Sequence, residues 1–177
     1  FVICIWEGWV ITEIRVFEKT KGDDVLNEIK KAAQEYRIPY RNIAFDATGM
    51  GGVYKGFLRT SFAFVSGATP MREKKAGEKE PPQYFNLRSQ VFFLLRDIIE
   101  NSEMLIWDKR YRKEIEEELR AIKKMEVRGD MKLRIIPKDQ IKQAIGRSPD
   151  FADAIAMRIV FELGTQIAPT KRKVSSF

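Results

Sequence analysis

Residues 42–52 read NIAFDATGMGG, and the fold turns on how this stretch is taken. Ile43, Ala44 and Phe45 make a short apolar strand that runs into Asp46 and then into a turn rich in glycine. Upstream, Asp23 or Asp24 can cap a helix in which Val25, Ile29, Ala32 and Tyr36 recur at helical spacing, ending before Pro39. Before that helix lies FVICIW, a turn signal at Glu7-Gly8, and WVITEIRVF, where Val10, Thr12, Ile14 and Val16 alternate with Ile11, Glu13, Arg15 and Phe17. Phe1 to Phe17 therefore reads as a β-hairpin. Strand, helix, strand is the sign of a crossover unit in a mixed or parallel sheet, and it places the chain in the α/β class.

Downstream, Val53, Phe57 and Leu58 suggest a short helix and Ser61 to Val65 another strand. Ser66 to Asn86 mixes Gly, Pro and alternating charge without periodicity, so a long exposed, mobile loop is expected. Leu87 to Glu100 is amphipathic through Leu87, Val91, Leu94, Leu95 and Ile98; Tyr111, Ile115, Leu119 and Ile122 mark a second helix, with the strand MLIW between them. Glu126 to Ile136 reads as a hairpin turning at Gly129-Asp130, with Val127, Met131, Leu133 and Ile135 inward and Arg128, Lys132 and Arg134 outward. Ser148 as N-cap and Pro149 at the first helical position open the last helix, whose stripe is Phe151, Ile155 and Ile159. No repeat is present. One domain over residues 1–164 and a tail or linker over 165–177 are expected.

Composition narrows the chemistry. The chain has 177 residues, one cysteine (Cys4) and no histidine. That excludes disulfides, a Cys-rich zinc site, the Ser/His triad and any imidazole base. Catalysis would rest on carboxylates, lysines or a bound metal. No apolar run approaches a membrane span and no signal-peptide pattern opens the chain, so a soluble, intracellular protein is expected. The net charge is +7. Between Arg120 and Arg147 nine Lys or Arg face three acids, so the surplus is concentrated there and suggests an anionic partner.

Three acids sit where the sequence otherwise builds a core: Asp46, Asp150 and Asp153. Asp46 ends an inner strand, where open α/β sheets place ligands, and Gly49, Gly51 and Gly52 beyond it permit close approach. Asp150 and Asp153, three apart on a helix, share a face and would repel unless a cation neutralised them. Hard oxygen donors select Mg²⁺ or Mn²⁺, and two such ions hydrolyse a phosphodiester without histidine. Each feature also has a plainer reading. Asp150 suits the helix dipole, Asp46 suits a turn, the glycines suit turn chemistry, and the lysines suit a solvated edge. Asp153, beyond the capping turn and flanked by Ala152, Ala154 and Ile155, fits those readings least.

Three features together resemble the large terminase subunits of tailed phages: NIAFDATGMGGVYKGFL, LRIIPKDQIKQAIGRSPDFADAIAMRIVF, and the spacing between them. The resemblance implies a ribonuclease H-like nuclease domain, a mixed central sheet flanked by helices, that cuts double-stranded concatemeric DNA with two Mg²⁺ or Mn²⁺ ions. It implies Asp46 as the middle acid, Asp153 with Asp150 as the last acidic position, and Lys138 as a basic residue beside them. Arg128, Lys132 and Arg134 would grip DNA phosphates. Implied partners are an ATPase motor domain N-terminal in the same polypeptide, the portal and the small terminase subunit, in the cytoplasm of an infected bacterium, with no membrane. The family's first aspartate lies on a strand before FVICIW, where this sequence offers no acid, so the chain reads as a fragment lacking that strand or as a crippled enzyme. No GxxxxGK[ST] loop is present, and ATP hydrolysis is not expected. A junction resolvase and a non-catalytic DNA-binding or docking module are the competing readings.

Overall fold

The hairpin forms as its alternation predicts. Strand β1 (Val2–Glu7) pairs antiparallel with β2 (Val10–Val16), with a register shift between Ile5 and Trp6. Gly8 makes the tight connection at φ +58°, a conformation that glycine adopts without a Cβ penalty. The structure is a computed structural model and describes residues 1–18, 22–48, 54–71, 83–129 and 131–164. Helix α1 (Gly22–Glu35) follows, then β3 (Ala44–Asp46), β4 (Phe62–Phe64), α2 (Leu87–Glu100), β5 (Leu105–Ile106), α3 (Arg112–Ala121), α4 (Lys138–Ile145) and α5 (Asp150–Met157). A 3₁₀ turn over Arg158–Phe161 extends α5.

Among the described residues the strands form two sheets. One is mixed, in the order β1-β2-β5, with β5 parallel to β2; the other is β3 parallel to β4. β3 and β4 pair in parallel, whereas the expected crossover from the hairpin through α1 to β3 joins strands that lie in different sheets among the described residues. The apolar residues gather in two clusters, and the β3/β4 sheet contributes to both, Phe64 to the larger and Phe45 to the smaller. The larger gathers Ile11, Ile14, Val91, Leu95, Ile115, Ile155 and Ile159; the smaller is Leu26, Phe45, Tyr54 and Leu58. Among the described residues no helix is long and apolar enough to cross a membrane.

Three expectations need correction, and of the expected loop Ser66–Asn86 residues 72–82 lie outside the described residues. Residues 126–136 form no regular hairpin: the chain does reverse, with Lys124 bridging Ile135 antiparallel, but Leu133 bridges Tyr84 in parallel instead. Hence Met131 is 96% exposed and Val127 is on the surface, while Ile135 alone of the expected apolar set is fully buried. The Ser66–Asn86 loop is anchored at both ends. Gln90 accepts from the Met71 N–H and donates to the Met71 carbonyl, each at 2.7 Å, and Tyr84 is buried. Tyr36 points outward, where its hydroxyl bonds Glu13. The last helix has Pro149 as N-cap, one residue later than expected, with no side chain of its own to cap it. Gly49, Gly51, Gly52, Val53, Asp130 and the tail 165–177 lie outside the described residues.

Asp108 ties the hairpin to the segment after β5: it accepts the Ile14 N–H at 2.9 Å and pairs with Arg110 at 2.7 Å. Arg110 holds its carboxyl well below the usual carboxylate range against the opposing effect of burial, and the Ile14 N–H adds to the lowering. A lowered folded-state pKa contributes stability above the unfolded value of about 4, lost as pH falls. Asp108→Ala should cost about 1–3 kcal/mol in urea unfolding at pH 7, since it strands the Ile14 N–H. The difference from the natural protein should shrink between pH 4 and pH 2.

Candidate active site

The two sheets and α5 enclose a cleft of about 760 Å³. Its walls are β1, the segment Asn42–Asp46, the inner face of α1 and the first turns of α5. Asp46, Asp150, Asp153 and Lys138 all line it. Three acids from two distant stretches thereby line one cleft, together with the expected lysine. Arg128, Lys132 and Arg134 are not part of the lining. Arg128 and Lys132 lie on the surface, and Arg134 stacks over the Phe85 ring with its guanidinium 3.4 Å from the centroid.

The acids are in different electrostatic states. Asp46, exposed at the end of β3, accepts the Thr48 N–H at 2.8 Å, the local turn bond that its plainer reading requires. The Asp150 carboxylate, half-buried, has no hydrogen bond or ion pair among the described residues. Asp153 is compensated twice: Oδ2 meets Lys138 Nζ at 2.6 Å and Oδ1 meets the Arg88 guanidinium at 3.3 Å. Arg88 is itself buried, donates to the Ile136 carbonyl at 3.3 Å and lies over the Phe92 ring. Among the described residues no three acids cluster closely enough to hold a metal ion. The donor set is of the hard-oxygen kind that Mg²⁺ and Mn²⁺ take, but it is spread along the cleft, with the Lys138 ammonium on the Asp153 carboxylate.

Two side chains of the site escaped sequence reasoning, Arg88 and Glu118. Glu118, on α3, is 1% exposed; its Oε2 accepts the Ala152 N–H at 2.9 Å and its Oε1 pairs with Arg147. Burial pushes the Glu118 carboxyl up, and the Ala152 N–H and Arg147 oppose that rise. The signal for both was on the page of the sequence. Arg88 precedes Phe92 and Leu95 by four and seven, and Glu118 lies three after Ile115 and four before Ile122, so each is a charge inside an apolar stripe. Such a charge must find a buried partner. Cys4, also in the lining, offers no thiolate, because burial and then the Asp108 charge push its thiol up to about 12.

No protein-family model and no curated protein sequence matches the chain. Among solved structures it superposes on the nuclease domain of the large terminase subunit gp2 of bacterial virus Sf6. The TM-score is 0.71 at 20% identity, covering 86% of this chain and 78% of that one. The chain has the fold of a terminase nuclease domain. A lysine-to-alanine variant of the same Sf6 domain with manganese matches at TM-score 0.71 and 19% identity, over 86% of this chain and 79% of that one. A calcium-containing form of that variant matches at 0.71 and 19%, over 86% and 78%. The ribonuclease H-like architecture expected from the sequence is thus the one observed, although in the described residues its sheet is divided in two.

The two cations on Asp153 differ in exposure, 8% for the Arg88 side chain and 33% for Lys138. Arg88→Met should therefore lower stability by about 2–4 kcal/mol, as when one member of a buried pair is removed. Lys138→Met should cost less than about 1 kcal/mol. Urea denaturation of the two variants side by side checks the order; equal losses would mean that Lys138 is as structural as Arg88.

Proposed function

We propose that this domain is a divalent-metal-dependent endonuclease that cuts double-stranded DNA, of the kind that cleaves concatemeric phage DNA during genome packaging. The observation that carries the reading is the meeting of Asp46, Asp150 and Asp153 in one cleft. It is supported by the likeness to solved terminase nuclease domains, some of them with manganese or calcium. In this reading the three carboxylates hold two Mg²⁺ or Mn²⁺ ions. The ions would supply Lewis-acid activation of water and stabilisation of the leaving oxygen. Asp46 at the strand end, Asp153, and Asp150, which has no hydrogen bond or ion pair among the described residues, would hold them. Lys138, the more exposed cation on Asp153, would contact a DNA phosphate.

The cleft suggests where a further acid would enter. Among the described residues β1 pairs only with β2 and β3 only with β4, and both line the same cleft. One more strand laid between them would join the two sheets and could present its acid beside Asp46. The reading accordingly includes such a strand, an ATPase motor domain N-terminal in the same polypeptide, and the portal and small terminase subunit as partners in the cytoplasm of the infected bacterium. Arg128, Lys132 and Arg134 are assigned to the DNA backbone outside the cleft.

Nicking of supercoiled plasmid tests this, using the chain as given and a form extended upstream by one strand, each with Mn²⁺, Mg²⁺ or EDTA. Metal-dependent nicking is expected in the extended form. Asp153→Asn should reduce it by roughly 100-fold or more, the scale of several kcal/mol of lost Lewis-acid stabilisation. Because Asp153 also holds Arg88, circular dichroism must show that the variant remains folded. No cutting in either form would overturn the nuclease reading in favour of a binding module. For DNA binding, Arg128→Ala with Lys132→Ala should flatten the slope of log K against log salt by about 2, close to 0.9 per phosphate contact. An unchanged slope would remove both residues from the interface.

A further inference from the structure

We infer that Glu118 is a positioning residue for the acid-bearing helix α5: it caps that helix from another helix and thereby sets the direction of the Asp150 and Asp153 carboxylates. The inference rests on the reading of those two aspartates as metal ligands.

A helix leaves its first N–H groups without intrahelical acceptors, and these are ordinarily met by a side chain at the N-cap. Here the N-cap is Pro149, which has no acceptor, and Ser148 stands one residue too early. Ala152 is fully buried, so water does not take the missing place. Glu118 does, across from α3, at 2.9 Å. Its charge is balanced by Arg147, which also reaches Glu117 at 2.6 Å and the Glu114 carbonyl at 3.4 Å. The segment between α4 and α5 is thus clamped to α3 on the same side as the cap.

The position of the capped amide gives the bond its consequence. Ala152 lies between Asp150 and Asp153 in the first turn of α5, so the bond fixes the rotational phase of that turn. Fraying by one turn would move Asp150 outright and loosen Asp153. Outer residues that orient ligands in this way change metal affinity by roughly 10–100-fold when replaced.

Glu118→Asp and Glu118→Gln separate reach from charge. Aspartate keeps the charge but is one methylene too short for the Ala152 N–H, whereas glutamine keeps the acceptor without the charge. Mn²⁺ binding, followed by electron paramagnetic resonance without DNA, is expected to weaken by about tenfold or more in Glu118→Asp and to stay within about threefold of the natural protein in Glu118→Gln. Asp150→Asn is the control. Unchanged binding in Glu118→Asp, or equal losses in both Glu118 variants, would overturn the positioning role while the metal reading stands. Failure of Asp150→Asn to weaken binding, or no Mn²⁺ binding by the natural protein, would overturn the metal reading itself and this inference with it. Should Glu118→Asp not fold, hydrogen exchange in the natural protein decides: Ala152 N–H is expected to be the most protected amide of the first turn of α5, and rapid exchange there would overturn the role.

Discussion

The structure depends on the packing of one short helix. The two sheets share no strand pairing among the described residues, and α5 is the element that contacts both β1 and β3. Its buried face, Ala152, Ile155 and Ala156, continues into Ile159 and Val160 of the 3₁₀ turn, all within the larger cluster. Burying each isoleucine contributes about 1.5–3 kcal/mol, and the small alanines let the helix sit close against its neighbours. The opposite face carries Asp150 and Asp153. The same helix therefore supplies the wall between the sheets and the acids of the cleft, and any change in its seating is felt by both.

Charge compensation follows from that arrangement. Acids beside a closed core need partners, and the partners come from outside the helix: Arg88 from α2 and Lys138 from α4 for Asp153, and Arg147 for the buried Glu118. The Arg88 and Arg147 sites are fixed by burial or by several bonds, and the Lys138 site is open to solvent. Asp153 thus has one cation, Arg88, that is buried with the core and another, Lys138, that is part-exposed.

Much of this was legible in the sequence because it depends on local periodicity. The hairpin at Phe1–Phe17, the span of α2 and the strand ending at Asp46 all follow from apolar spacing and turn residues. What escaped depends on contacts between distant segments. The stretch 126–136 alternates like a strand, but Leu133 found the Tyr84 segment and left Met131 in solvent. The cap of α5 was sought in Ser148 because caps are usually local, and it came instead from Glu118, thirty-odd residues away. A charge inside an apolar stripe announces that a partner exists without saying which one.

The division of the apolar interior has a dynamic meaning. Asp46 ends a strand whose neighbour Phe45 belongs to the smaller cluster of four buried residues, whereas Asp153 is seated on the larger one. Local openings of a protein begin where buried apolar contacts are fewest. The lower-cost opening among the described residues is therefore around Leu26, Phe45, Tyr54 and Leu58, while Phe64 keeps β4 tied to the larger cluster. A ligand that bridged Asp46 and Asp153 would link the two clusters and would stiffen the smaller more than the larger.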